Sequence, residues 1–91
     1  MFHVLTLTYL KPLDEVDKTR PAHVEWIKKE IAAGRLLLAG RQESEAGGVL
    51  ITADIETEAA DQLIAADPYT VAGLVSYERT GFKAALRAPG L

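Results

Sequence analysis

The sequence predicts a single α+β domain, and three observations lead to this prediction. Segments with strand-type alternation and segments with helical periodicity follow one another in the order βαββαβ. The chain has 91 residues, which leaves no room for a second independent core. Its hydrophobic fraction of 48% and its charged fraction of 25% are ordinary for a globular protein. We expect one domain over residues 1–91, with a core of about residues 2–80 and a C-terminal arm of about residues 81–91.

The first half of the chain contains one predicted strand and one predicted helix. Residues 2–10 alternate as in a strand, and Pro12 ends the run because proline cannot donate a hydrogen bond to a neighbouring strand. Thr19-Arg20-Pro21 begins a helix, with the threonine hydroxyl as a candidate cap and proline in the first turn. Gly34 ends this helix. The apolar positions that recur at helical spacing are Val24, Ile27 and Ile31.

Two further strands follow as a hairpin. Residues 36–40 are a short continuous apolar run, which is typical of a strand covered on both faces. Residues 49–53 form the next strand, after a loop that ends at Gly47-Gly48 and is looser than a two-residue turn.

The last two predicted elements are a helix and a strand. The helix begins at about Thr57, and its buried stripe consists of Ala60, Leu63 and Ile64. It ends near Asp67, because a residue that precedes a proline is disfavoured in the helical region. Residues 74–80 form the fourth strand.

Elements in this order, joined by right-handed crossovers, predict a ferredoxin-like βαββαβ antiparallel sheet with two helices on one face. The first three strands nevertheless carry bulky apolar residues on both faces, as Val4 and Leu5 illustrate. A sheet with one face in water would alternate with polar residues instead. We therefore expect the second face to meet a second copy of the chain, forming a homodimer, with a higher oligomer left open.

Composition and charge argue against several classes of function. The net charge is −3, with acidic and basic residues interleaved, and no basic stripe alternates with aromatic residues as nucleic-acid binding would require. No apolar run approaches the roughly 20 residues that span a bilayer, and no signal-peptide pattern opens the chain. The absence of cysteine removes disulfides and thiolate metal sites and suits a reducing compartment. We expect a cytoplasmic protein without membrane or nucleic-acid partners.

Five short motifs stand out along the chain: Arg20-Pro21-Ala22-His23, Gly34-Arg35-Leu36-Leu37-Leu38-Ala39-Gly40, Gly47-Gly48-Val49-Leu50-Ile51, Asp67-Pro68-Tyr69 and Ala72-Gly73-Leu74. In their order and spacing they resemble the YCII-related family of dimeric α–β barrel proteins. The resemblance covers about residues 2–80. The chain departs from it at Arg41-Gln42, where family members often have proline, and at residues 78–82, where a proline–phenylalanine ending is typical. These differences bear on the substrate rather than on the fold.

The resemblance implies one pocket per subunit between sheet and helices, with a catalytic histidine–aspartate pair at His23 and Asp67. The residues themselves allow this interpretation, because His23 shares a helical face with Ile27 and Ile31 and so points toward the sheet. An imidazole beside an ionised carboxylate is held in one tautomer and can exchange a proton through its other nitrogen. The alternative is that Asp67 only ends a helix and that His23 caps or packs.

Three further residues are candidates for binding a small-molecule substrate. Arg20 lies close to His23 and could hold an anionic group, although a surface ion pair is the alternative. Tyr69 could line the pocket or belong to the core, and Arg41 could reach the pocket mouth. His3 has no acidic neighbours at metal-ligand spacing, so we expect neither a metal nor an organic cofactor.

Two functions remain open from the sequence. The first is a cofactor-independent enzyme that abstracts a proton with His23, oriented by Asp67, and then eliminates or isomerises, as the resemblance to dehydrochlorinase-like members suggests. The second is a non-catalytic dimer that binds a small metabolite or assists a neighbouring enzyme. One fold of this kind hosts many functions, so the sequence does not decide between them.

Overall fold

The computed structural model describes residues 1–91 and shows an α+β fold. The elements are β1 (Phe2–Tyr9), α1 (Leu13–Asp17), α2 (Arg20–Ala32), β2 (Leu36–Arg41), β3 (Gly47–Thr52), α3 (Thr57–Ala66), α4 (Pro68–Val71) and β4 (Val75–Phe82). The two long helices, α2 and α3, occupy the predicted positions, and α1 and α4 are short additions beside them. The ferredoxin-like prediction is confirmed.

The four strands form one antiparallel sheet in the order β2-β3-β1-β4. The central strand β1 pairs with β3 on one side, where Val4 lies opposite Ile51. On its other side β1 pairs with β4, where Leu7 lies opposite Tyr77. Residues opposite each other point to the same face, so this register places Tyr77 on the same side of the sheet as the buried Leu7.

The helices cover only one face of the sheet. Alternate residues of β1 are buried on that face, and Leu50 of β3 joins them. From the helical layer, α3 contributes Ala60 and Leu63, as its periodicity predicts. In α2 the single buried residue is His23, so a polar side chain occupies the position where this helix meets the core.

Gly47 fixes how closely β3 approaches β1. A Cβ atom at this position would lie 1.9 Å from the carbonyl oxygen of Leu7, which no side chain can tolerate. The glycine is therefore required by the close pairing of the two central strands.

The structure differs from the sequence predictions at two element ends. Thr19 is the N-cap residue of α2, and its carbonyl accepts the first helical hydrogen bond from the backbone N–H of His23, but its side chain makes no capping hydrogen bond. Strand β4 continues through Gly81 to Phe82, because Phe2 at the start of β1 pairs with Phe82. The chain leaves the sheet after Phe82, two residues beyond the predicted end of the fourth strand at residue 80.

The other face of the sheet is open in the single chain. Strand β2 is irregular between Leu36 and Leu38. Leu37 and Leu38 are 42% and 60% exposed, so within one chain β2 is not covered on both faces as its sequence predicts. The arm lies beside this face, where the Arg87 guanidinium sits 4.9 Å from the centre of the Phe2 ring. None of the helices has the length and apolar character needed to cross a bilayer.

Candidate functional site

A cavity of about 170 Å³ lies between the sheet and α2. Its walls come from β1, β2, β3, α2 and α4, and seven of its twelve lining residues are hydrophobic, with Tyr9 and Tyr69 counted among them. The side chains on the wall that can form hydrogen bonds are those two tyrosines, Arg20, His23 and Arg41. A mostly apolar hollow with a few converging polar groups is the usual form of a small-molecule site.

Asp67 reaches this site from the junction of α3 and α4. Its backbone has φ −58° and ψ 125°, outside the helical region, because Pro68 follows it. Its Oδ1 accepts the backbone N–H of Tyr69 at 2.9 Å and so caps α4. The same oxygen lies 2.7 Å from Nδ1 of His23. Asp67 thus ends one helix, caps the next and contacts the imidazole.

The second carboxylate oxygen of Asp67 has its own donor. The hydroxyl of Tyr77 on β4 donates to Oδ2 at 2.5 Å. Burial raises the pKa of Tyr77, and the negative charge of Asp67 and the hydrogen bond to it raise this pKa further. The phenol therefore stays protonated as a donor. Asp67 is fully buried and accepts three hydrogen bonds, the pattern that compensates a carboxylate for lost water.

His23 presents one nitrogen to the carboxylate and the other to the cavity. Because Asp67 Oδ1 is an acceptor, the proton between the two side chains belongs to Nδ1, which leaves Nε2 with a free lone pair. Nε2 makes no hydrogen bond within the chain, and it is not completely buried. The side-chain atoms that are both completely buried and without a hydrogen-bond partner are Trp26 Nε1 and Thr70 Oγ1. The ring stacks on Tyr69 with centroids 3.9 Å apart and planes 11° apart, so its orientation is fixed.

Arg41 lies in the cavity wall and is held from two sides. Its Nε donates to the Tyr9 hydroxyl at 3.0 Å, and one terminal nitrogen donates to Asp17 at 2.5 Å. These bonds, above all the one to Asp17, raise the pKa of Arg41 further above its ordinary value. The guanidinium is a fixed cation whose charge is largely balanced by Asp17.

Arg20 and Tyr69 also line the cavity, with side chains that are free to bind. Arg20 is the first residue of α2 and forms no ion pair with an Asp or Glu within 4.0 Å and no side-chain hydrogen bond. The Tyr69 ring is buried, as the core alternative expects, yet it also lines the cavity. Burial raises the pKa of its phenol, which keeps the hydroxyl protonated as a donor at neutral pH.

The structure brings all five predicted site residues to one place, and it adds three that the sequence analysis missed. These are Tyr77, Tyr9 and Asp17, which hold Asp67 and Arg41 in position. A signal for Tyr77 existed, because alternation along the fourth strand places Val75 and Tyr77 on one face. No comparable signal connects Asp17 with Arg41, since their contact joins a helix end to a distant strand.

The remaining aromatic and histidine residues have other positions. His3 is completely buried and its Nε2 lies 3.0 Å from the carbonyl oxygen of Ile55, so it has a structural contact. Trp26 packs against the core with its ring centre 5.9 Å from that of His23. No three His, Asp or Glu side chains lie close enough together to form a metal-ligand set.

Comparison with solved structures supports the architecture. The chain is similar to 5-chloro-2-hydroxyhydroquinone dehydrochlorinase from Burkholderia phenoliruptrix, solved in complex with 2,5-dihydroxybenzoquinone. The TM-score is 0.75, and the match covers 91% of this chain and 94% of the dehydrochlorinase, with 18% identical residues. At this identity the likeness is one of fold.

Comparison with sequences identifies relatives more directly. The chain is 83% identical over 24 residues to the 12 kDa protein of Mycolicibacterium smegmatis, a match that spans 26% of this chain and all of the curated sequence. The model of the YCII-related domain matches residues 1–82, from the start of β1 to the end of β4. This stretch contains every residue of the cavity described above, and the chain belongs to the YCII-related family.

Proposed function

We propose that the chain is an enzyme that removes a proton from a small organic substrate, with His23 as the base and Asp67 as its orienting partner. The observation that carries this proposal is the 2.7 Å contact between Nδ1 of His23 and the buried Asp67, with Nε2 left free at the cavity. A base that is held in one tautomer and one orientation needs no rearrangement when the substrate arrives.

The chemistry follows from these two side chains. Nε2 accepts a proton from the substrate, and the imidazolium that results is stabilised by the adjacent carboxylate. The electron pair left behind either forms a double bond as a leaving group departs, or moves along the substrate until the proton is returned at another atom. Elimination agrees with the fold similarity to a dehydrochlorinase, and isomerisation uses the same base.

We further propose that the active form is a cytoplasmic homodimer built on the open face of the sheet. Leu38 and Phe82 on that face are 60% and 44% exposed, and Val4 and Ile51 lie beside them in paired strands. Covering about 700 Å² of apolar surface per partner gives on the order of 15 kcal/mol gross, before association costs of similar size. Sedimentation analysis tests this proposal, since Leu38→Glu would yield monomers and an unchanged sedimentation rate would reject it.

Solvent exchange tests the catalytic proposal even while the product is unidentified. Substrate candidates, including chlorinated hydroquinones, are incubated with the protein in deuterated water and analysed by mass spectrometry for deuterium uptake, product or chloride. We expect wild type to react and His23→Gln to be slower by about 10²–10⁴-fold, the usual contribution of a general base. The control Lys28→Gln changes an exposed residue of the same helix and should react like wild type.

Two results would count against the enzyme. Equal rates for wild type and His23→Gln would remove His23 from the mechanism. Saturable ligand binding by wild type with no exchange and no product would instead favour the non-catalytic, metabolite-binding function.

A further inference from the structure

We infer that the ligand of this cavity is an organic carboxylate whose buried part is about the size of one six-membered ring, and that Arg20 binds its negative group. The inference rests on the proposed function, since it names the substrate class of the same site. Three features carry it: the cavity volume, the charges on its wall, and the lack of a partner for Arg20.

The volume limits the ligand. A cavity of about 150 Å³ in an apolar protein interior accommodates benzene. The cavity here is slightly larger, at about 170 Å³, and its hydrophobic lining includes Leu7, Ile27 and Leu50. A single ring, or a chain of similar size, fills this space. A fused two-ring system would have to fill it at the full packing density of a protein interior, so a single ring is favoured.

The charges on the wall select against cations. Two arginines line the cavity, and no Asp or Glu lines it. Asp67 does not alter this balance, because it is fully buried behind His23 and its oxygens are occupied by donors. Asp17 lies outside the wall and is paired with Arg41. Because Asp17 largely balances the charge of Arg41, the positive charge that a ligand meets in the cavity comes mainly from Arg20.

Arg20 is the cation with its donors available. Arg41 uses two of its nitrogens for Tyr9 and Asp17, whereas Arg20 makes no side-chain hydrogen bond. A free guanidinium offers two parallel N–H donors, which match the two oxygens of a carboxylate. The first turn of α2 contains no acidic residue that would compete for Arg20.

The spacing of Arg20 and His23 relates the charge to the reacting atom. They are three residues apart on α2, and such neighbours have Cβ atoms about 5–6 Å apart on one helix face. A ring-sized carboxylate bound at Arg20 therefore extends past His23 Nε2. The acidic proton is expected on the enclosed part of the ligand, one ring width from the negative group.

Binding to simple probes tests the inference through the single tryptophan. Trp26 has its ring centre 5.9 Å from that of His23, so its fluorescence should report occupancy. We compare benzoate with benzamide, its neutral isostere, and with 2-naphthoate, which carries the same charge on two rings. Benzoate should bind about tenfold more tightly than benzamide, as expected for a charge-assisted contact, and more tightly than 2-naphthoate.

Variants assign the preference to one side chain. Arg20→Gln should bring benzoate down to the affinity of benzamide, while Lys28→Gln on the same helix should keep the preference. The melting temperatures of both should match wild type, because both side chains are exposed. Raising the salt concentration should reduce the preference in wild type.

The outcomes separate this inference from the proposed function. Equal affinities for benzoate and benzamide, no detectable benzoate binding, or an Arg20→Gln variant that keeps the preference would each overturn the ligand class. None of these measurements requires turnover. An Arg20-dependent preference for benzoate therefore supports the inference even if the exchange experiment finds no proton abstraction.

Discussion

Replacing Tyr77 by phenylalanine removes one hydroxyl and leaves the ring that fills the space between β4 and the helices. The lost group is the donor 2.5 Å from Oδ2 of Asp67, and Asp67 is 0% exposed, so its carboxylate has no direct access to solvent that would replace this bond. A hydrogen bond to a charged group contributes about 1.5–3 kcal/mol. We expect the free energy of unfolding to fall by about 2 kcal/mol at pH 7, equivalent to about 8–16 °C in melting temperature for a domain of this size.

The same variant has a pH signature. The pKa of Tyr77 is raised in the folded state, chiefly by burial and then by Asp67. A raised pKa contributes stability that is present below the ordinary tyrosine value of about 10 and is lost as the pH rises above it. Tyr77→Phe lacks this contribution. The difference in stability between wild type and variant should therefore be constant near neutral pH and should narrow at alkaline pH.

Urea unfolding at a series of pH values measures both effects. The matched control is Tyr9→Phe, which also deletes one tyrosine hydroxyl, but from a partner of Arg41 that remains tied to Asp17. Tyr9→Phe should lower the free energy of unfolding by less, about 1 kcal/mol. A loss below about 0.5 kcal/mol for Tyr77→Phe, or a difference that widens at high pH, would show that this hydroxyl does not support the buried carboxylate.

Three other predictions concern the backbone, the chain terminus and the histidine–aspartate pair. Gly47→Ala should lower the free energy of unfolding by more than about 3 kcal/mol in thermal melts. The control Gly40→Ala, whose Cβ would meet nothing within 4 Å, should change it by less than about 1 kcal/mol. Similar melting temperatures for the two variants would contradict the close approach of β3 to β1. The N-terminal ammonium lowers the pKa of Asp54, so this ion pair stabilises the fold above the ordinary carboxyl pKa and the stabilisation is lost as the pH falls. The stability of Asp54→Asn should therefore depend less on acid pH than that of wild type. An unchanged dependence of stability on acid pH would refute the pairing. Asp67→Asn should preserve the fold but reduce the share of the Nδ1–H tautomer of His23, which nitrogen NMR reports; an unchanged tautomer ratio would remove Asp67 as the orienting group.

The order of elements and the meeting of His23 with Asp67 could be predicted because both depend on local patterns. The period of the apolar residues fixes which segments are helices, and the face shared with Ile27 points His23 toward the sheet. Pro68 places Asp67 at a helix end, which is where the histidine meets it. The family resemblance supplied the remaining step, that these two particular residues meet.

The supporting contacts could not be predicted in the same way, because they depend on which elements become neighbours. Tyr77 meets Asp67 only since β4 pairs with β1 at one edge of the sheet. The bond between Arg41 and Asp17 joins a strand end to a short helix 24 positions away. The end of β4 likewise follows from its partner strand, which begins at Phe2, and the sequence near Phe82 contains no signal for it.

The polar groups around the cavity belong to separate stretches of the chain, around Arg20, Arg41 and Asp67. Unfolding scatters these stretches, so a compound that occupies the cavity has no comparable site on the unfolded chain. At a concentration of 100 times its dissociation constant, such a compound adds about 2.7 kcal/mol to the free energy of unfolding. In a domain this small, that corresponds to a rise of roughly 10–20 °C in melting temperature. A thermal-shift screen of metabolites can therefore identify the natural ligand before any reaction is known.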